Sequence, residues 1–261
     1  FGADTDQGEN IRDSSIHSVM SYGMTFDGFA NQYRPDPTSG SYMADDIAAL
    51  QYLYGTNAKY AVGDNIYDYS YFSSNDDPFI KSLYDAGGTD SFDFTNQSFD
   101  VSGSFAENQF LFIDGDRGNA VLGDGTISST TDLDIYRLGQ NEGVLSVADV
   151  SIEGYLGSRG VEDVTGSDTS NFIFGGFGYQ SQDILAGGAG ADTFLLAGTN
   201  FTISASECDI ISDFDVSSDV IGLELGLIYA DLSFEQSSGD CYIKDGNNNY
   251  LLKLQNVSKN D

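Results

Sequence analysis

The stretch 157–195, GSRGVEDVT GSDTSNFIF GGFGYQSQDILA GGAGADTFL, decides the fold. It divides into four successive nonapeptides, the third carrying three extra residues at Tyr179–Ser181. The pattern is G-G-x-G-x-D-x-U-x with U apolar, a parallel β-helix repeat that takes Ca²⁺ between its turns. Paired glycines permit a tight turn with inward-facing carbonyls, in conformations that a β-carbon resists. The sixth position carries a side-chain oxygen each time: Glu162, Asn171, Asp183 and Asp192. The eighth is always apolar (Val164, Ile173, Leu185, Phe194), as a short strand with one buried face requires.

Calcium takes six to eight hard oxygen ligands at roughly 2.3–2.6 Å and tolerates irregular geometry. One turn cannot supply so many, whereas stacked turns can share an ion between carbonyls and carboxylates. The last repeat matches the pattern throughout, so Gly187, Gly188, Gly190 and Asp192 are candidate ligands, with Asp183 beside them. Glu162 and Asn171 depart from the aspartate, which predicts weaker or vacant sites at those turns. A merely solvated Gly/Asp loop would leave the apolar eighth position unexplained.

The chain has 261 residues, with ten Lys plus Arg against 41 Asp plus Glu, a formal net charge of −31. A disordered acidic tail is poor in aromatics, yet this chain carries 16 Tyr and 18 Phe. The acid is therefore read as solvated surface and cation sites on a folded protein. Such a charge argues against nucleic acid or an anionic membrane as partner. No apolar run is long enough for a transmembrane helix. The sequence shows no signal peptide and opens at Phe1, which suggests a processed product or a portion of something longer. Cys208 and Cys241 are the only cysteines; a bridge and two free thiols both stay open.

Residues 1–40 read as polar and irregular. Ser41–Tyr54 predicts a helix, with Met43, Ile47, Leu50 and Tyr54 on one face. Asp45 and Asp46 suit its first turn and Gly55 its C-terminal end. Beyond Asp64 the pattern is short strand and turn, including 91–95, 109–113 and 143–147. Residues 208–226 read as two apolar runs around an acidic turn, and 230–236, 241–244 and 250–257 as closing antiparallel strands. The fold class predicted is mainly β, a parallel β-roll or sandwich preceded by a short helical element.

Five further segments carry a family resemblance. HSVMSYG (17–23) resembles the Met-turn of metzincin zinc proteases in its serralysin form, and DDIAALQYLYGTN (45–57) the helix and linker that follow. LYDAGGTDSFDF (83–94) is similar to the family's W-D-A-G-G-N-D-T-x-D-F, with Tyr84 for Trp. VSIEG (150–154) resembles V-x-I-E-N, and DIISDFDVSSDVIGL (209–223) resembles I-x-D-F-x-x-x-x-D-x-I-x-L. The resemblance implies the end of a metzincin-like subdomain over 1–57 and a serralysin-type RTX β-roll over 58–261. It implies Met20 as the Met-turn floor and Tyr22 as a switchable zinc ligand and oxyanion partner. It implies one calcium site lined by Ala61, Gly63, Asp64, Asp85, Gly87 and Asp90, and a neighbour from Gly88, Asp90 and Glu153.

One departure matters. The family holds zinc with H-E-x-x-H-x-x-G-x-x-H, while these residues include a single histidine, His17, read as a loop residue. Zinc therefore enters only in a longer parent. Two readings follow. The first is the C-terminal calcium-binding part of a secreted, extracellular serralysin-like metalloendopeptidase, with protein or peptide substrates and the type I secretion machinery as partners. The second is a non-catalytic, calcium-dependent surface or filament protein on the same scaffold, capable of self-assembly. The end, LLKLQNVSKND, only loosely resembles a family terminus.

Overall fold

The computed structural model describes residues 18–19, 41–72, 79–107, 109–114, 143–147, 152–177, 182–198 and 204–260. The elements run α1 (Ala44–Tyr54), β1 (Ile66–Asp68), α2 (Tyr69–Phe72), β2 (Phe79–Leu83), β3 (Ser91–Asp93), β4 (Asp100–Ser104), β5 (Phe110–Asp114) and β6 (Gly143–Val147). The roll proper follows with β7 (Gly154–Leu156), β8 (Glu162–Thr165), β9 (Phe172–Phe174), β10 (Ile184–Ala186), β11 (Thr193–Ala197), β12 (Asp209–Ile211) and β13 (Val220–Glu224). It closes on β14 (Ser233–Ser237), β15 (Asp240–Lys244) and β16 (Tyr250–Leu254).

Each repeat yields one strand, and consecutive strands go to opposite sheets. A six-stranded sheet has the order β1-β3-β7-β9-β11-β13, and every neighbouring pair is parallel. The second sheet has ten strands in the order β14-β15-β16-β12-β10-β8-β4-β5-β6-β2. Its centre, β4-β8-β10-β12-β16, is parallel, and antiparallel pairs flank it at β14-β15-β16 and β4-β5-β6. A parallel β-roll is the result, with two nonapeptides to each full coil. The expected closing antiparallel strands form, although residues 229–231 make a 3-10 turn before β14 rather than extending it.

The core lies between the sheets. All four eighth-position residues are buried: Val164, Ile173, Leu185 and Phe194. Phe92, Phe94, Phe105 and Tyr155 fill the earlier coils; Tyr155 stacks on Phe105 at 5.6 Å and meets Phe94 edge-on at 6.0 Å. Each such buried side chain contributes roughly 1.5–3 kcal/mol. The coil spacing is set by close turn stacking. At Gly188, where φ is +88°, a β-carbon would strike the carbonyl of Ser167 in the turn one coil earlier. The next residue, Ala189, donates its N–H to that same carbonyl at 3.2 Å.

The helix differs from expectation. It begins at Ala44, and of its predicted apolar face Met43 is buried while Leu50 and Tyr54 are exposed. At the N-terminal end, Ser82 lies against Ser41 and Met43. Asp46 organises that end, accepting from Met43 N–H at 2.9 Å, Val19 N–H at 2.8 Å and the Ser18 hydroxyl at 2.6 Å. Gly55 closes the helix with φ +82° and donates its N–H to Gln51 O at 2.8 Å. Cys208 and Cys241 are buried free thiols. Burial pushes Cys208 up to about 11, so it remains a protonated thiol at neutral pH.

Candidate metal centre

The residue immediately preceding each strand of the six-stranded sheet carries a side-chain oxygen. In spatial order these are Asn65, Asp90, Glu153, Asn171, Asp192 and Asp219, and the strand registers align them as one row. Four contacts in the row have one form, with a backbone N–H donating to the carboxylate of the next coil. Asn65 donates to Asp90 at 2.8 Å, and Asp90 to Glu153 at 2.8 Å. Asn171 donates to Asp192 at 2.7 Å, and Asp192 to Asp219 at 3.0 Å. A second row runs along the ten-stranded sheet, where Glu162 N–H donates to Asp183 and Asp183 N–H to Asp209, each at 3.1 Å.

These bonds explain the aspartates at the sixth position of the third and fourth repeats, Asp183 and Asp192, whereas Glu162 and Asn171 accept the N–H of Ser158 and Ser167 in their own turns. The turn exposes an amide that needs an acceptor: the carboxylate of the next coil supplies it in these cases, while Glu153 N–H donates instead to the backbone carbonyl of Asp90 at 3.0 Å. They also bring Asp90, Asp183 and Asp192 into close quarters with other acids. Glu162, Asp183, Asp90 and Asp192 are all buried. Desolvation pushes Glu162 and Asp209 up to about 7. Asp183 rises well above the usual carboxylate range, first through burial and then through the charges of Asp209 and Glu162. Burial and the charges of Asp85, Glu153 and Asp64 raise Asp90 in the same way. Among the described residues the columns form no ion pair with Lys or Arg; the salt bridges found are Lys244–Glu235 and Lys253–Asp240.

The predicted junction residues come together on two facing loops. A β-carbon on Gly88 would lie 2.5 Å from the Gly63 carbonyl, so the loops 61–65 and 85–90 are in direct contact. Asp64 accepts Thr89 N–H at 2.9 Å. Asp85 accepts the Tyr67 hydroxyl at 2.5 Å and Gly87 N–H at 2.9 Å. Ala61 holds φ +48°, a left-handed conformation uncommon outside glycine. In the last repeat, Gly187 and Gly188 donate to the two oxygens of Asp213 at 3.0 and 2.9 Å. A β-carbon on Gly190 would press on the backbone at Thr169.

Whether a cation suits these rows turns on their donor set. Among the described residues, no three His, Cys, Asp or Glu side chains converge to enclose a metal by themselves. A site here must therefore draw on turn carbonyls, which is acceptable to calcium and poor for zinc. Two buried oxygens stand without any hydrogen-bond partner in the rows, Asp90 Oδ2 and Glu162 Oε2. Acceptor-only groups, buried among like charges, fit a hard cation.

Asn65, Asp209, Asp213 and Asp219 belong to this arrangement and were not among the predicted site residues. The last three lie in the segment 209–223 that carried the resemblance, but outside any nonapeptide, so the repeat did not single them out. Met20, Tyr22 and His17 fall outside the described residues.

The class of protein is thus a parallel β-roll with acceptor-lined turns. No family profile matches the chain. Among curated proteins it is similar to Serralysin C of Dickeya chrysanthemi, 32% identical over 131 residues, covering 47% of this chain and 26% of that protein. It is similar to Serralysin of Proteus mirabilis, 28% identical over 169 residues, 62% of this chain and 29% of the other. Metallopeptidase AprA of Pseudomonas marginalis is 29% identical over 178 residues, 65% of this chain and 32% of that protein. The chain spans about a quarter to a third of the length of these relatives. Over the part it shares with them, this chain is serralysin-like.

Proposed function

We propose that this chain is the calcium-binding β-roll portion of a secreted serralysin-like zinc metalloendopeptidase, which it stabilises and whose type I secretion it supports. The observation that carries the reading is the pair of orphaned buried oxygens in the rows, Asp90 Oδ2 and Glu162 Oε2. Calcium would be held at the junction by Asp64, Asp85, Asp90 and Glu153 with the carbonyls of Ala61, Gly63, Gly87 and Gly88. Along the ladder it would be held by Glu162, Asp183 and Asp192 with the carbonyls of Gly187, Gly188 and Gly190. Bound there, the ion would supply positive charge to rows that no Lys or Arg pairs with among the described residues.

Folding then follows the ion. With little calcium the acidic rows repel, which keeps the chain loose enough for export; with millimolar calcium they close. Ligand at 1,000 times its Kd adds about 4.1 kcal/mol to stability. Zinc, in a longer parent, supplies a polarised water for attack on a peptide carbonyl. By resemblance, Met20 would be the Met-turn methionine beneath that site, and Tyr22 would help stabilise the oxyanion. Circular dichroism and thermal melting in EGTA against Ca²⁺ test the roll. A melting temperature and β signal that do not respond to calcium would sink the reading.

A further inference from the structure

Asn171 breaks the rule of its row. Its Oδ1 accepts the N–H of Ser167 at 2.8 Å and the Ser167 hydroxyl at 3.2 Å. A backbone N–H can only donate, so this atom is fixed as the amide oxygen. The amide nitrogen turns the other way and donates to the carbonyl of Ile152 at 3.1 Å, with that of Glu153 at 3.5 Å. Both partners can only accept, which fixes the nitrogen in turn. The side chain is buried, and both ends of its amide are in use. It therefore ties its own turn to the coil before it, and Phe172 N–H adds a bond to Glu153 O at 2.7 Å.

Glu162 occupies the same repeat position one turn earlier and begins in the same manner. Ser158 N–H donates to its Oε1 at 2.7 Å, as Ser167 N–H does to Asn171. Its other oxygen, however, is buried without a partner beside the carboxyl of Asp183. An ionised carboxylate has no hydrogen to offer an acceptor facing it, whereas an amide has two at any pH. The two turns thus differ by one donor.

We propose that the Asn171 amide takes the place of a cation at its rung, so that this turn stays fastened without calcium while the Glu162–Asp183–Asp209 row requires the ion. The inference rests on the calcium reading above and assigns its reach within the roll: one edge is a calcium-controlled seam, and the rung at Asn171 on the other edge is permanent.

Backbone amide hydrogen exchange on the full chain, in EGTA and in millimolar Ca²⁺, tests it. The amides of Ser167 and Phe172 are expected to exchange at similar rates in both, while those of Glu162 and Asp183 slow by at least about tenfold with calcium. The variant Asn171→Asp should bind one further calcium equivalent by titration calorimetry and make Ser167 protection calcium-dependent. Equal loss of protection at Ser167 and Glu162 in EGTA would overturn the inference and leave the calcium reading standing. So would an Asn171→Asp protein with unchanged stoichiometry and unchanged melting in EGTA. If no amide responds to calcium, both fall together. Should Asn171→Asp fail to fold even with calcium, the wild-type exchange rates still decide.

Discussion

Glu162 and Asp183 lie twenty-one residues apart in the chain, yet the backbone N–H of the first donates to the carboxylate of the second at 3.1 Å. This one bond joins consecutive coils and also forces two buried acids into contact. The same relationship recurs from Asp183 to Asp209, also at 3.1 Å. Stacking the turns and crowding their charges are therefore a single structural act, and the consequences can be measured.

Acidity should stabilise the calcium-free protein. Glu162 and Asp209 sit at about 7 in the fold, against about 4 for unfolded carboxylates. The folded chain then holds protons that the unfolded chain has lost, and stability falls as pH rises from about 4 to 7. In EGTA, Tm at pH 5 should exceed Tm at pH 7.5 by at least about 5 °C. With calcium the trend should flatten or reverse, because the ion competes with the same protons.

Asp192→Asn should change sign with the metal. The asparagine oxygen can still accept Asn171 N–H, now 2.7 Å from Asp192. Burial and the charges of Asp219 and Asp213 hold the native carboxyl above its ordinary value, so removing its charge relieves strain in the free protein. Melting in EGTA should stay level or rise. In calcium the variant should melt below wild type and bind fewer ions by equilibrium dialysis.

Gly188→Ala and Gly239→Ala separate turn packing from backbone preference. Both residues have positive φ, +88° and +98°. Only Gly188 faces a fixed carbonyl, that of Ser167; nothing lies within 4 Å of a β-carbon on Gly239. Urea unfolding should show about 1–2 kcal/mol lost for Gly239→Ala, and about 3 kcal/mol or more for Gly188→Ala. Similar losses at both would mean that coil stacking does not depend on that close approach.

Tyr155→Phe should be neutral or stabilising. The Tyr155 hydroxyl is fully buried and has no partner, while its ring packs on Phe105 and Phe94. Deleting the oxygen keeps the ring and removes an unpaid desolvation cost of about 1 kcal/mol or more. A clear drop in Tm would show that the hydroxyl bonds to a group such as the nearby Glu162.

The helix shows how local pattern can mislead. Met43, Ile47, Leu50 and Tyr54 have the spacing of a buried face, and the helix forms, but Leu50 and Tyr54 are exposed among the described residues. Helical periodicity reports which residues share a face and is silent about what covers it. The repeats behave differently, because each carries its own turn and its own strand.

The amino-acid sequence by itself determined the roll: glycine turns, an oxygen at the sixth position and a buried residue at the eighth are local properties of nine residues. Only the tertiary structure decided which acid meets which amide. Asp90 and Glu153 are 63 residues apart, and Asp209, Asp213 and Asp219 lie beyond the repeats, so no spacing rule joins them. It also decided that Asn171 and Glu162, equivalent in the repeat, part company by one amide hydrogen-bond donor. The reason is physical: a turn is chosen by its own residues, while the partner of a buried charge is chosen by the coil that comes to rest against it.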